Sequence, residues 1–326
     1  MPVTTKVIVP TLFLAPLAFA QQAEQPPQPA SQPGLTQSIV KPASEERAVS
    51  ASLRLYGTHT FSSDLDTAGD FSLTRAGAAA SVEVPWGERG SFDFSLGARL
   101  DSYDFGAGAL TNGLTLPPTA PPDPWGDIRT YEGSLSYRTQ IDDHWGYGVG
   151  GFVSSSGEGG ADFSDTLEYG GFASVTYASS RSLILGLGLS VSTQLEDDTS
   201  VFPIPFIRWK IDDRWMLSTD RSIGMGGVAL TYQATDTLRF GIIGGYDRSN
   251  FRLASDAREP DGVGRYKAIP ILASVTWDAH EQFSLTAVAG AAVSQTLTLD
   301  DANGNEVAED DAGVAPMIGV FGTFRF

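Results

Sequence analysis

From about residue 50 onward, apolar and polar positions alternate one by one. Phe92, Phe94, Leu96, Ala98 and Leu100 interleave with Asp93, Ser95, Gly97, Arg99 and Asp101. Leu183, Leu185, Leu187, Leu189 and Val191 interleave mainly with Gly186, Gly188, Ser190 and Ser192. The same period marks Phe283, Leu285, Ala287, Ala289, Ala291 and Val293, and the last segment from Val314 through Ile318 and Val320 to Phe326. Side chains of a strand point to opposite faces in turn, so each run has one apolar face and one small or polar face. Runs of about ten residues match a tilted strand crossing a bilayer. The pattern predicts strands at 50–61, 73–84, 91–102, 129–140, 145–154, 166–177, 183–194, 201–211, 215–220, 224–233, 238–249, 266–277, 283–296 and 312–326. That makes about 14 strands; 215–220 is short, and a count of 12 is the alternative.

A soluble sandwich would also alternate, but its strands run to roughly five or six residues. The gaps argue further for a membrane barrel. Short turns near 85–90, 141–144, 179–182, 212–214, 234–237 and 278–282 alternate with longer gaps near 62–72, 104–128, 155–165, 195–200, 250–265 and 297–311. Short turns on one side and long loops on the other are the outer-membrane arrangement. Trp86, Trp145, Trp209, Trp215 and Trp277 all fall beside short turns, as an aromatic girdle at one interface requires. The fold class expected is therefore all-β: a single closed antiparallel transmembrane β-barrel over 50–326. An even strand count puts both termini in the periplasm, and closure is needed because an open edge in lipid leaves backbone groups unpaired. Pro203, Pro205, Pro270 and Pro316 strain the scheme, since proline removes a ladder hydrogen bond. They mark bulges, or else 201–206 is not regular strand.

Residues 1–20 read as a secretory signal peptide: Lys6, an apolar core from Val7 to Phe19, and an Ala18-Phe19-Ala20 cleavage site before Gln21. Residues 21–49, rich in Gln, Pro, Ser and Ala, read as a disordered periplasmic tether. The chain has no Cys, so disulfide and thiolate-metal chemistry is excluded. A net charge of −18 argues against a nucleic-acid partner. The three histidines, His59, His144 and His280, have no serine or carboxylate spaced for a triad, and no catalytic, cofactor or metal site is expected. The acids of 297–311 suggest calcium, but the glycine is misplaced for a calcium loop; Asn303-Gly304 reads first as a type I′ hairpin tip. The segment Ile141-Asp142-Asp143-His144-Trp145 recurs as Ile211-Asp212-Asp213-Arg214-Trp215, which reads as shared turn chemistry.

The polar face carries ordered charges. Arg75 with Asp101 and Glu83 with Asp93 share one register between 73–84 and 91–102. A single register between 91–102 and 129–140 would set Asp93 opposite Arg138 and Arg99 opposite Glu132. With Arg54 nearby, these residues suggest a charge network lining one side of the lumen, either of an open pore or of a filled barrel. The opposite wall is apolar: Phe202, Ile204, Phe206, Ile243, Leu272 and Val288. That suits a path for apolar solutes, or packing against an inserted loop or tether. Loop 104–128, stiffened by Pro117, Pro118, Pro121, Pro122 and Pro124, is expected at the surface, with an inward constriction as the alternative.

Gly322-Thr323-Phe324-Arg325-Phe326 resembles the terminal signal read by the barrel-assembly machinery, with Phe324 and Phe326 in its aromatic positions. Asn250-Phe251-Arg252-Leu253, Asp261-Gly262-Val263-Gly264 and Leu299-Asp300-Asp301-Ala302-Asn303-Gly304-Asn305-Glu306 resemble a family of uncharacterised outer-membrane barrels known only as a domain of unknown function, over about residues 205–326. The resemblance implies fold and location and transfers no active residue. The functional expectation is a non-enzymatic barrel in outer-membrane lipid: a passive pore for small solutes with weak cation preference, a closed structural or surface-binding barrel, or a carrier of apolar compounds. Acids of the long loops, among them Glu196, Asp197, Asp198, Asp300, Asp301, Asp310 and Asp311, are expected to set the cation preference. Deleting Phe326 is expected to lower the folded, membrane-inserted fraction, read from heat-modifiable gel mobility of outer-membrane material; normal insertion of the deletion would remove the terminal-signal argument.

Overall fold

The computed structural model describes residues 48–111, 121–195, 197–220 and 226–326. The expected signal peptide and nearly all of the expected tether lie outside the described residues. The strands are β1 (Ser50–Asp64), β2 (Asp70–Trp86), β3 (Gly90–Phe105), β4 (Asp127–Gln140), β5 (Trp145–Glu158), β6 (Leu167–Ser180), β7 (Leu183–Gln194), β8 (Asp197–Lys210), β9 (Trp215–Asp220), β10 (Gly226–Thr235), β11 (Leu238–Arg252), β12 (Val263–His280), β13 (Phe283–Asp300), β14 (Glu306–Ala312) and β15 (Ala315–Arg325). A single turn of 3₁₀ helix, Phe163–Thr166, precedes β6. β14 and β15 pair in succession with β13, through Asp300 to Gln295 and then Ala292 to Phe283, so together they form one wall strand. The wall is thus a ring of 14 antiparallel strands, each beside its sequence neighbour, closed by β1 on β15. Closure runs to the last residue: Ala51 N donates to Phe326 O at 3.1 Å, and Phe326 N donates to Ala51 O at 2.8 Å.

Alternation fixes the two faces. On β7, Leu185, Leu187, Leu189 and Val191 are exposed outside while Ile184, Ser190 and Ser192 are buried inside. The five tryptophans nominated for the girdle are all exposed, beside short turns. An exterior this apolar is covered only by lipid. β1 begins and β15 ends at the short-turn end.

The repeated turn has a common geometry. Asp142 Oδ1 accepts from His144 N and Trp145 N at 2.7 and 2.8 Å, and Asp212 Oδ1 accepts from Arg214 N and Trp215 N at 2.7 and 2.8 Å. These donors hold the Asp142 carboxyl below the usual carboxylate range. Several long gaps are shorter than expected because strands continue past the bilayer. Residues 297–311 are mostly a β13–β14 ladder ending in a tight turn. That turn is not type I′: of Asn303 and Gly304 only Gly304 has positive φ (76°), and Asp301 Oδ1 accepts from Asn303 N and Asn305 N. Pro270 sits at a bulge in the β12–β13 ladder. Pro203 and Pro205 lie in a regular β8, paired with Leu189 and Leu187.

At the long-loop end the ring pinches. β11 stays paired with β12 as far as Arg252 and there also reaches β5, where Arg252 pairs with Gly157 in parallel. Glu158 clamps this seam, accepting from Gly126 N at 2.8 Å through one oxygen and from Ala254 N at 3.1 Å through the other.

Leu187 is 61% exposed near mid-strand. Leu187→Arg is expected to cost about 2–4 kcal/mol, as midplane arginine does in barrels, whereas lumen-facing Ser190→Ala should change stability little, since its buried hydroxyl has no hydrogen-bond partner. Denaturant unfolding in bilayers measures both; a harmless arginine would reverse the in/out assignment. Gly188 is a poor control, because a Cβ there would lie 3.0 Å from Ala173 O and from Ser174 Cβ.

Candidate functional site: the lumen

The lumen has a charged sector and an apolar sector, capped by a third cluster at the long-loop end. In the charged sector β2 and β3 set Arg75 opposite Asp101 and Glu83 opposite Asp93. Between β3 and β4 the register differs from expectation by two residues. Asp93 faces Ser136 and Arg138 faces Ser91, while Arg99 faces Thr130 and Glu132 faces Gly97. Long side chains reach diagonally, which charge matching across the ladder does not capture. Arg138 Nη2 lies 2.8 Å from Glu83 Oε2 and 3.2 Å from Asp93 Oδ2, so the like-charged pair shares one guanidinium. Arg99 turns to its own strand, with Nε 3.1 Å from Asp101 Oδ1, and donates to Ser249 Oγ at 3.1 Å. The expected Arg99–Glu132 contact across the strands is replaced by these. Arg54 and Glu132 are half-buried on the lumen faces of β1 and β4.

The centre of the network is Asp101, 0% exposed, which accepts from Arg75 Nε at 2.8 Å. Arg75 Nη1 donates at 2.8 Å to Asp247, from β11 across the lumen. Asp247 was not among the nominated residues. Its inward parity is readable, but its partner comes from a strand far off in sequence. Beside this bridge a cavity of about 10 Å³, at the lower limit for one water, is lined by Thr58, Thr60, Arg75, Asp247, Tyr266 and Met317 among others.

The apolar wall packs along itself. Ile243, Leu272 and Val288 cluster with Ala229, Met317 and Phe321. Ile204 packs with Phe152, Phe172 and Phe202, and Phe206 with Ile184. Among the described residues no inserted loop covers this wall; the tether and residues 112–120 lie outside them.

The third cluster had no sequence signal of its own. Phe71, Tyr103, Trp125, Phe251, Tyr266 and Leu297 form a buried core inside the long-loop end, joined by Leu110, Leu253 and Leu299. Trp125 sits edge-on to Phe105 and to Phe251, with ring centroids 5.2 Å away in each case. Leu110 and Trp125 belong to loop 104–128, so its described ends turn inward rather than lying on the surface; residues 112–120, with Pro117 and Pro118, lie outside the described residues. Arg258, from the loop between β11 and β12, fastens this loop, donating to Ala109 O at 2.7 Å and to Pro122 O.

Several nominated mouth acids are engaged internally. Asp300 Oδ2 lies 2.6 Å from Arg265, Asp310 accepts from Thr67, and Asp311 accepts from Thr296 at 2.7 Å. Asp301 holds its turn, which keeps its carboxyl below the usual range. Glu196 lies outside the described residues, as do the side chains of Asp197 and Asp198. Among the described residues no three His, Asp or Glu side chains converge as metal ligands. The histidines are scattered: His59 Nδ1 lies 2.9 Å from Thr74 Oγ1 and His144 Nδ1 lies 3.0 Å from Ala178 O, while His280 accepts from Gln282 N.

Asp101→Asn is expected to cost about 3–5 kcal/mol, the usual effect of breaking a buried ion pair, and Asp247→Asn less, because it serves one guanidinium. Unfolding midpoints in bilayers measure this; an unchanged Asp101→Asn midpoint would mean that the guanidiniums are compensated elsewhere.

A protein family described as a domain of unknown function (DUF6268) matches residues 131–320. A search of curated proteins finds no match. Among solved structures, a Pseudomonas aeruginosa FadL homologue is 11% identical, with 94% of this chain and 96% of that chain covered and a TM-score of 0.44. The P. putida toluene transporter TodX is 9% identical, with 88% and 93% covered and a TM-score of 0.44. The NanC porin is 13% identical, with 82% and 98% covered and a TM-score of 0.30.

Proposed function

This chain belongs to DUF6268, a family described as a domain of unknown function, and we propose that it is a non-enzymatic outer-membrane channel for small apolar solutes, closed to bulk ions at its outer end. The observation that carries this reading is the buried aromatic and aliphatic core that β2–β4, β11–β14 and the loops joining them build inside the long-loop end of the barrel. A continuous water column cannot pass a packed apolar core, because ions there would lose hydration without compensation. The apolar wall below it, from Ile204 to Leu272 and Val288, offers the lower-energy surface to an apolar solute. The short-turn end, with both chain ends, is periplasmic in this reading, and the long loops face outward.

A passive pore with weak cation preference is the second reading, favoured by the acid-rich long loops and a chain charge of −18. The two differ in conductance. In planar bilayers the wild-type chain is expected to be nearly silent, and Trp125→Ala with Phe251→Ala is expected to give steady steps. Those steps should show a cation-selective reversal potential that fades as salt rises, since screening shortens the reach of loop charges to about 8 Å at physiological salt. Large steady wild-type steps would favour the passive pore. Uptake of N-phenylnaphthylamine, fluorescent in apolar surroundings, by cells expressing the chain should exceed that of cells without it; equal uptake would sink the apolar-solute reading.

A further inference from the structure

On one side of the barrel the ladders break along a single level. Between β11 and β12 the pairing skips from Gly244–Ile271 to Asp247–Ala268, passing over Gly245, Tyr246 and Pro270. Between β12 and β13 the bulge at Pro270 falls at that same level. β13 changes partner there, from β15 at Ala292 to β14 at Gln295. The β1–β15 pairing ends at Thr60–Met317, and the β1–β2 register shifts between Thr60 and Ser63. Each break lies opposite the next, so together they make one crease from β11 to β2. The β2–β3, β3–β4 and β4–β5 ladders run through that level without a shift. The small cavity beside Arg75 lies under the crease, for Thr60, Leu73, Ala268, Pro270 and Ala292, which flank the breaks, all line it. A bulge bends its strand, and proline weakens a ladder. A row of such breaks over a void is where a sheet bends with least loss of contact.

Beyond the crease, the outer halves of β11–β14 carry Phe251, Leu253, Tyr266, Leu297 and Leu299 into the outer core. The unbroken half, with its loop, carries Tyr103, Trp125 and Ile128. The outer core is therefore the face on which two halves meet, with Phe251 5.2 Å from Trp125 and 5.8 Å from Tyr103 between ring centroids. The edge of the creased half that reaches the unbroken one is β11. Among the described residues a single backbone pair, Arg252–Gly157, joins β11 to β5. Side chains supply the other ties: Glu158 accepts from Ala254 N, Arg252 Nε donates to Asp165 O at 3.1 Å, Arg75 donates to Asp247, and Arg99 donates to Ser249. Ties of this kind break and re-form without unzipping a ladder.

We propose that the outer halves of β11–β14 are a flap that swings about this crease, and that a small apolar solute passes by parting β11 from β5. The proposal rests on the reading of the chain as a channel for apolar solutes and gives that channel its moving part. Water between the halves would wet the core, so the flap rests closed. An apolar solute replaces the contacts that it parts, whereas an ion would lose its hydration there without compensation.

Gly160, beyond β5, and Ala254, beyond β11, face each other over the seam. A Cβ at Gly160 would lie 3.4 Å from the Ala254 Cβ, close to the roughly 3.5–4.5 Å of a disulfide-bonded pair. The chain has no native Cys, so Gly160→Cys with Ala254→Cys allows one cross-link. Gly160 has a φ of 114°, so the single Gly160→Cys variant is the control for strain. In cells, the oxidised double variant is expected to take up N-phenylnaphthylamine several-fold more slowly than the same variant after reduction, with the single variant indifferent to both treatments. Equal uptake by the reduced and the cross-linked double variant would overturn the flap and leave the channel reading standing. Glu158→Gln tests the seam without a new bond. It is expected to raise uptake at least two-fold while heat-modifiable gel mobility stays normal; unchanged or lower uptake would also overturn the flap. No uptake by the wild type would overturn the channel reading itself.

Discussion

Inside hydrocarbon no water is at hand for a backbone N–H or C=O, so the chain must supply every partner itself. The closed ring answers this, and it is complete only when Phe326 meets Ala51. Everything else follows from closure. The two-residue period assigns Leu187 to lipid and Ser190 to the lumen. The even strand number returns the chain to the end where it began.

Closure leaves an interior to be filled, and the chain fills it in two ways. Guanidiniums are shared among carboxylates: Arg138 between Glu83 and Asp93 near the short turns, and Arg75 between Asp101 and Asp247 nearer the long-loop end. Buried charges are tolerable only in such company, because each has lost its hydration. Towards the long loops the filling turns apolar and aromatic, and polar atoms move to the rim. There Glu158 and Arg258 satisfy backbone groups of the very loops whose side chains complete the core. The loops are thus part of the packed structure.

The barrel was legible because its signal is local: a two-residue period, turn chemistry, and tryptophans beside short turns. The β2–β3 register was legible because its hairpin is tight and its charges lie directly opposite, as Arg75 and Asp101 do. The β3–β4 register was misread by two residues because the long 106–126 connection does not fix it, and because Arg138 reaches its acids diagonally. The outer core was illegible for a different reason. Phe71, Tyr103, Phe251 and Leu297 each look like ordinary inward positions at strand ends. Only the crossing of β11 to β5 brings them together, and that crossing joins segments nearly a hundred residues apart.

The outer core also gives this membrane protein a thermal habit usually found in water-soluble ones. Lipid-facing leucines exchange one apolar medium for another when strands part within a bilayer, so they contribute little to the heat capacity of opening. Phe71, Trp125, Phe251 and Leu299 would be released into water if the long-loop end opened, and wetting apolar surface raises heat capacity. The stability of that end is therefore a curve with a maximum, falling on cooling as well as on heating. The lid over the lumen and the wall beneath it answer temperature by different laws, although one continuous set of strands carries both.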